Sequence, residues 1–414
     1  MLLLGGLAAF SAYFAMYAFR KPIAAATFGD VGLHPLGLDY KSALLIAQVL
    51  GYAVSKLIGI KVIAEFGRTG RARAIAALIG ASWLALVGFA LLPPVWGLPC
   101  LFLNGLPLGM IWGLVFSYVE GRRVSELLGA MLCASFILSS GMVKSVATLL
   151  MQQGITERWM PAATGVLFVP VLLVALFMLE RLPPPSPEDE AERTARVPMS
   201  KADRAAFMRD HGVTMALLVS GYILLTAFRD FRDNFAAELW NALGYSGSAA
   251  IFSQSELPVA VIALAGLGAL MLVRDNLRAL IAMHGLILLG AAALGLGTLA
   301  FRVGLIGPLA WMIVTGAGVY LAYTPFNAML FDRMIAALGR AGNAGFLIYV
   351  ADASGYVGSV ALLVWRNLAA PHMDWLRFTT DCAYAASLAV AVLTCCSAMT
   401  FVQRARRRHE ASYA

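Results

Sequence analysis

Apolar stretches of about 20 residues, set off by short polar punctuation, recur along the whole chain, and that length fits helices that cross a lipid bilayer. Only 13% of the residues are charged and 60% are hydrophobic, where a water-soluble chain carries about 25% charged. With a mean hydropathy of +0.79 there is too little polar surface to cover a soluble globule of 414 residues. These numbers exclude a soluble enzyme, a nucleic-acid-binding protein and a secreted disulfide scaffold. The five cysteines lie inside or beside apolar segments without paired spacing, so they are expected to pack as small apolar residues.

The expected class is an all-α membrane protein of twelve transmembrane helices, at about 34 residues per helix with its loop. The segments are 1–28, 40–66, 73–93, 98–119, 125–151, 160–181, 212–239, 248–273, 277–300, 304–329, 342–366 and 376–402. The first lacks a basic start and a small-residue cleavage site, so it reads as a retained span.

Charge orients them. One set of alternate loops holds nineteen Lys and Arg, among them Arg68, Arg71, Arg73, Arg122, Arg123 and Arg404; the opposite set holds five, Lys41, Arg158, Arg302, Arg366 and Arg377. The positive-inside rule then places both termini in the cytoplasm of a multi-pass inner-membrane protein. The basic tail reads as an anchor near anionic lipid, not as a nucleic-acid site.

The only long hydrophilic stretch falls at the midpoint. It divides the chain into a six-helix bundle at 1–183, a cytoplasmic linker at 184–210, a second six-helix bundle at 211–403 and a tail at 404–414, with a short amphipathic helix expected at 200–210. The two halves match each other. Tyr13-x4-Ala18-Phe19-Arg20 recurs as Tyr222-x4-Ala227-Phe228-Arg229, and Ser42-Ala43-x4-Gln48 recurs as Ser248-Ala249-x4-Gln254. SGMVKSVATL at 140–149 recurs as SGYVGSVALL at 354–363. Parallel repeats of six helices are the plan of the major facilitator fold, whose substrate site lies near the midplane.

Seven basic residues lie within or close to these helices: Arg20, Lys21, Lys56, Lys61, Lys144, Arg229 and Arg232. A charge in the bilayer costs at least about 2.5–3.5 kcal/mol, so such residues face a bundle interior or a wet cavity. Lys21 and Lys61 are expected to snorkel to an interface instead. Arginine keeps its charge when desolvated and offers a planar fork to carboxylate or phosphate, which makes Arg20 and Arg229 candidates for an anion clamp. The alternative is structural: Arg229 and Asp233 stand at i, i+4, a ready internal pair. Lys144 stands where the repeat has Gly358 and is a substrate or gating candidate. Glu256 and Asp352 are candidate proton carriers or breakable ion pairs, and Asp233 a gating acid. Tyr13, Tyr17 and Tyr222 lie within one or two turns of the arginines and are candidate cavity residues. His284 is expected to be a packed histidine.

Tyr17-Ala18-Phe19-Arg20-Lys21 and Gly51-Tyr52-Ala53-Val54-Ser55-Lys56-Leu57-Ile58-Gly59 resemble the first- and second-helix segments of the organophosphate:phosphate antiporters, the glycerol-3-phosphate transporter group. The resemblance implies that Arg20 and Arg229 clamp a phosphate at the midplane and that Lys56 helps attract it. Two departures stand out. The stretch Cys133-Ala134-Ser135-Phe136 lacks that family's histidine, and Glu65-Phe66-Gly67-Arg68-Thr69-Gly70-Arg71 is a degenerate gating loop with Glu65 near the helix ends.

The expected function is secondary active transport of a small organic anion, organophosphate- or carboxylate-like, by alternating access, as antiporter or symporter. A proton gradient or phosphate exchange would drive it, since no Walker loop is present. A non-transporting membrane sensor on the same fold is the alternative. No nucleophile–base spacing or metal cluster points to an enzyme or a cofactor, and the protein is expected to act as a monomer. The orientation has a direct test: Glu190→Cys in a cysteine-free background should resist a membrane-impermeant maleimide in intact cells. Labelling from outside would reverse the topology.

Overall fold

The computed structural model describes residues 2–65, 70–119, 125–183, 201–338, 344–369 and 373–411. Among these the secondary structure is helical. The helices are α1 (Leu2–Tyr17), α2 (Tyr40–Glu65), α3 (Arg71–Leu91), α4 (Gly97–Leu108), α5 (Ile111–Val119), α6 (Ser125–Gln152), α7 (Met160–Glu180) and α8 (Lys201–Asn234). They continue with α9 (Ala236–Ala242), α10 (Ala250–Met271), α11 (Asn276–Arg302), α12 (Pro308–Ala328), α13 (Leu330–Leu338), α14 (Ala344–Ala369) and α15 (Trp375–Ala411).

Nine stretches of the described residues are long and apolar enough to cross a membrane. The first, second and eleventh expected segments fall outside that nine but are helical over Leu2–Tyr17, Tyr40–Glu65 and Ala344–Ala369. On α7, Leu173, Val174 and Phe177 are each more than half exposed, as are Leu296 on α11 and Leu388 on α15. Such apolar faces suit lipid and would be a liability in water. The short helix expected at 200–210 is instead the start of α8.

Three breaks depart from the expected segments, and each has a local cause. The first helix stops at Tyr17, not at 28. Pro22 has no N–H to offer the carbonyl one turn back, so the chain tightens into turns and a short 3-10 helix at Pro22–Ala25. The fourth segment is cut into α4 and α5 just after Pro107. The seventh breaks at Phe235, whose backbone leaves helical geometry between α8 and α9.

Contacts gather the chain into two compact units that draw on both sequence halves. Unit 1 comprises Met1–Arg193, Phe231–Ala260 and Val360–Leu376; unit 2 comprises Thr194–Asp230, Val261–Ser359 and Arg377–Ala414. In unit 1, α2 and α4 meet backbone to backbone. A Cβ on Gly51 would stand 2.1 Å from the Phe102 carbonyl oxygen, and one on Gly105 would stand 2.1 Å from that of Gln48. Small residues permit this approach in a membrane, where packing rather than water exclusion holds helices together.

Gly51→Val should therefore force the α2–α4 pair apart and cost about 1–3 kcal/mol, or prevent folding. Gly80→Ala on α3, which meets nothing within 4 Å, should be neutral or mildly stabilising. Thermal midpoints of the purified variants check this, and equal midpoints would mean the helices are not in close contact.

Candidate functional site

The break at the end of α1 organises the first cluster. Where the helix stops, the carbonyls of Phe19 and Arg20 lose their helical donors. Asn104 Nδ2 donates to the Phe19 carbonyl at 3.0 Å and reaches Ser82 Oγ at 2.7 Å, while Gln48 Nε2 donates to the Arg20 carbonyl at 3.2 Å and to Asn104 Oδ1 at 2.7 Å. Both amides are buried. They satisfy the freed backbone and hold Arg20 in place.

The Arg20 guanidinium lies over the Tyr52 ring, 4.2 Å from its centroid, and Lys56 Nζ lies 5.4 Å from the same ring. The Tyr13 and Tyr52 hydroxyls share a hydrogen bond. Tyr13 meets Tyr17 edge to face at 5.5 Å, and Tyr17 stacks on Phe136. The expected residues Tyr13, Arg20 and Lys56 thus collect around the Tyr52 ring in unit 1, with Tyr17 packed against Tyr13. Two cations over one ring gain from its quadrupole while repelling each other, an arrangement suited to an incoming anion.

Unit 2 holds the counterpart. Arg229 lies over Tyr323, 4.0 Å from the ring centroid, and donates from Nε and Nη2 to Asp230 Oδ1 at 3.1 and 2.6 Å. Asp230 Oδ2 accepts from Ser359 at 2.8 Å. The Tyr222 hydroxyl lies 3.0 Å from that of Tyr323, 3.1 Å from Asp352 Oδ1 and 3.3 Å from Asn327 Oδ1. Asn327 Nδ2 is buried and has no hydrogen-bond partner among the described residues. Arg229, Tyr222 and Asp352 therefore share one polar cluster, to which the structure adds Tyr323, Asn327 and Asp230.

The pair expected between Arg229 and Asp233 does not form. Arg229 turns to its neighbour Asp230, and Asp233 takes its partners from unit 1. There Lys21 and Lys144 both bind its carboxylate, Lys144 Nζ at 2.7 Å, and the Ser140 hydroxyl donates to the same oxygen as Lys144. Lys21 also donates to Asn234 Oδ1 at 2.9 Å. Lys144 is fully buried. Lys21 is 6% exposed, so it does not snorkel. Its backbone turns inward at the α1 break, so the ammonium meets a carboxylate instead of water.

Further ion pairs tie the same stretch of unit 1 together. Lys41 Nζ holds both Glu238 oxygens, at 2.7 and 2.8 Å, and donates to the Ala24 carbonyl. Arg232 donates to Glu256 Oε1 at 2.9 Å, and Glu256 Oε2 is buried without a hydrogen-bond partner among the described residues. A Cβ on Gly141 would stand 2.7 Å from Glu256 Cβ, so α6 and α10 meet closely here. Glu65 ends α2, and its side chain, like that of Lys61, lies outside the described residues. His284 is buried between the Leu280 carbonyl and Ser397 Oγ. Among the described residues no group of His, Cys, Asp and Glu could hold a metal ion.

Lys41→Met should be strongly destabilising, by about 3–5 kcal/mol, because it leaves the Glu238 carboxylate buried without its partner. Lys41→Met with Glu238→Gln should recover much of that loss. Chemical or thermal unfolding of the cycle checks it; additive effects would show that the pair is not coupled.

The profile of the Family of unknown function (DUF5690) matches residues 22–404. No curated protein matches the sequence. Among solved structures, a crystal structure of a D-xylose–proton symporter is similar at TM-score 0.59 and 14% identity, over 94% of this chain and 96% of that one. A bacterial homologue of the human drug peptide transporters PepT1 and PepT2 is similar at 0.63 and 13%, over 98% of each chain. A structure of proton-dependent oligopeptide transporters is similar at 0.62 and 13%, over 98% of this chain and 99% of that one. At these identities the likeness shows the fold, which is the twelve-helix major facilitator fold expected from the repeat.

Proposed function

We propose that this chain, which belongs to the Family of unknown function (DUF5690), is a secondary transporter that moves a small organic anion across the inner membrane by alternating access. One observation carries the reading: each sequence half holds its membrane-embedded arginine over a tyrosine ring, Arg20 on Tyr52 and Arg229 on Tyr323. Arg20 lies on its ring beside Lys56, and Arg229 shares its fork with Asp230, so an entering oxyanion would compete with that carboxylate for Arg229. That both arginines grip one ligand is an inference from the internal repeat, which places them on equivalent helices at equivalent positions. Lys56 raises the local potential and attracts the anion without gripping it, and Tyr13, Tyr17 and Tyr222 line the path.

The names of the similar structures describe proton-coupled symport of xylose and proton-dependent transport of oligopeptides. We carry over the proton as driving ion, with Glu256 and Asp352 as its candidate carriers, and phosphate exchange as the competing drive. The substrate class rests on the arginines, and both organophosphates and carboxylates fit it. The anion specificity of the organophosphate:phosphate antiporters is part of this proposal, as are the cytoplasmic termini, the monomeric state and Glu65 as a gating residue.

A thermal-shift screen of sugar phosphates, phosphonates and carboxylates on the purified protein should find a ligand. Arg20→Lys and Arg229→Lys keep the charge but lose the fork, and charged hydrogen bonds are worth about 1.5–3 kcal/mol, so each should weaken that ligand by roughly ten- to a hundredfold. Lys56→Arg should be milder. Parent-like binding by both arginine variants would remove them from the site.

A further inference from the structure

The chain bends through the left-handed region at Phe28, with φ at 53°, and two successive backbone N–H groups there face one carboxylate. Thr27 N donates to Glu157 Oε1 at 3.1 Å and Phe28 N to Oε2 at 2.9 Å. Each oxygen keeps a second acceptor position, and Glu157 stands in the wall of a cavity of about 340 Å³. Thr27, Trp240, Tyr245 and Phe252 form more of that wall, and all of these residues belong to unit 1. Trp240 meets Tyr245 edge to face at 5.3 Å. Gln152 Nε2 donates to the Gly247 carbonyl at 2.5 Å, which ties the end of α6 to the loop before α10.

The sign of this cavity is opposite to that of the arginine clusters. Among the described residues its wall has one carboxylate and no lysine or arginine. The nearby cations are engaged elsewhere. Lys144, 5.7 Å from the Phe252 ring centroid, pairs with Asp233, and Arg158 donates to the Phe89 and Leu92 carbonyls. A carboxylate beside aromatic faces suits a cation, because the ring quadrupole attracts positive charge and the carboxylate accepts charge-assisted hydrogen bonds.

We propose that this cavity is a second ligand site, which takes a small organic cation with a primary ammonium group. The ammonium donates to Glu157, and the alkyl part lies among Trp240, Tyr245 and Phe252. The volume sits at the lower end of the range for small-molecule sites, so the ligand is small. The site does not rest on the transport reading, and its ligand has the charge opposite to the anion of that reading. Under the proposed topology the cavity lies at the end of unit 1 away from the cytoplasm, and the cation enters from outside. Its wall draws on both sequence halves, so a bound cation ties them together within unit 1 and stabilises the fold by mass action.

The test compares n-butylamine, butan-1-ol and sodium butyrate, alike in chain and different in charge, on the purified full-length protein. Butylammonium should bind saturably and raise the thermal midpoint, and the alcohol and butyrate should do neither. Glu157→Gln should weaken butylammonium by about ten- to a hundredfold. Tyr245→Leu should weaken it by about two- to fivefold, and Tyr245→Phe, which keeps the ring, should bind like the parent. Arg20→Lys and Arg229→Lys should also bind it like the parent, so this site and the anion reading can fail separately. If Glu157→Gln does not purify as a monodisperse protein, Ser246→Cys in a background without the five native cysteines decides the matter. Butylammonium should slow its reaction with a maleimide saturably and leave Leu305→Cys, which is not in the cavity wall, unaffected. Equal binding of butan-1-ol, undiminished binding by a folded Glu157→Gln protein, or no protection of Ser246→Cys would overturn the site.

Discussion

A carboxylate inside a membrane protein must bring its counter-charges with it, and in this protein much of unit 1 is arranged around that requirement at Asp233. The cost of taking a charged group out of water exceeds what a single imperfect ion pair returns. Asp233 is met by two lysines and a serine hydroxyl. The first lysine reaches it because α1 ends at Tyr17 ahead of Pro22. The turn there strands backbone carbonyls, which Asn104 and Gln48 then satisfy. The same turn leaves Arg20 over Tyr52. Pro22 ends the helix, and the turn that follows brings Lys21 to the buried charge while Asn104 and Gln48 satisfy the carbonyls it frees.

The charged residues divide into two chemical kinds. Those of the stretch 232–256 are matched: Asp233 with Lys21 and Lys144, Glu238 with Lys41, Glu256 with Arg232. Arg20 and Arg229 lie on aromatic rings, and Arg229, 14% of its side chain exposed, pairs with Asp230 as well.

Much of the fold was legible in the sequence because its signals are long. A span of about 20 apolar residues cannot be hidden by local detail, and the repeated Tyr-x4-Ala-Phe-Arg and Ser-Gly-x-Val elements align the two halves independently of any contact. The helix breaks were less legible, since Pro22 and Pro107 sit in runs whose hydropathy continues across them. Partner choice was legible only in part, since Asp230 and Asp233 were both open to the arginine. Spacing at i, i+4 made Arg229 and Asp233 an obvious pair, yet an adjacent acid captured the arginine and two distant lysines captured Asp233. Lys21 looked like an interfacial lysine because it lies near the end of an apolar run, and only the inward turn of the chain shows otherwise. Asn104, Tyr323 and Asn327 are single polar residues in apolar helices, which carry no pattern that periodicity can detect.

The central claim is that this molecule moves an organic anion and does not merely bind one. Counterflow tests it most directly. Proteoliposomes are loaded with an unlabelled anion found to bind, then diluted into a trace of the same anion carrying a radiolabel. The account predicts transient accumulation of label in vesicles that contain the parent protein and little in those with Arg20→Lys. Tight binding of the anion by the reconstituted parent without any accumulation would contradict the account and identify a sensor built on a transporter fold.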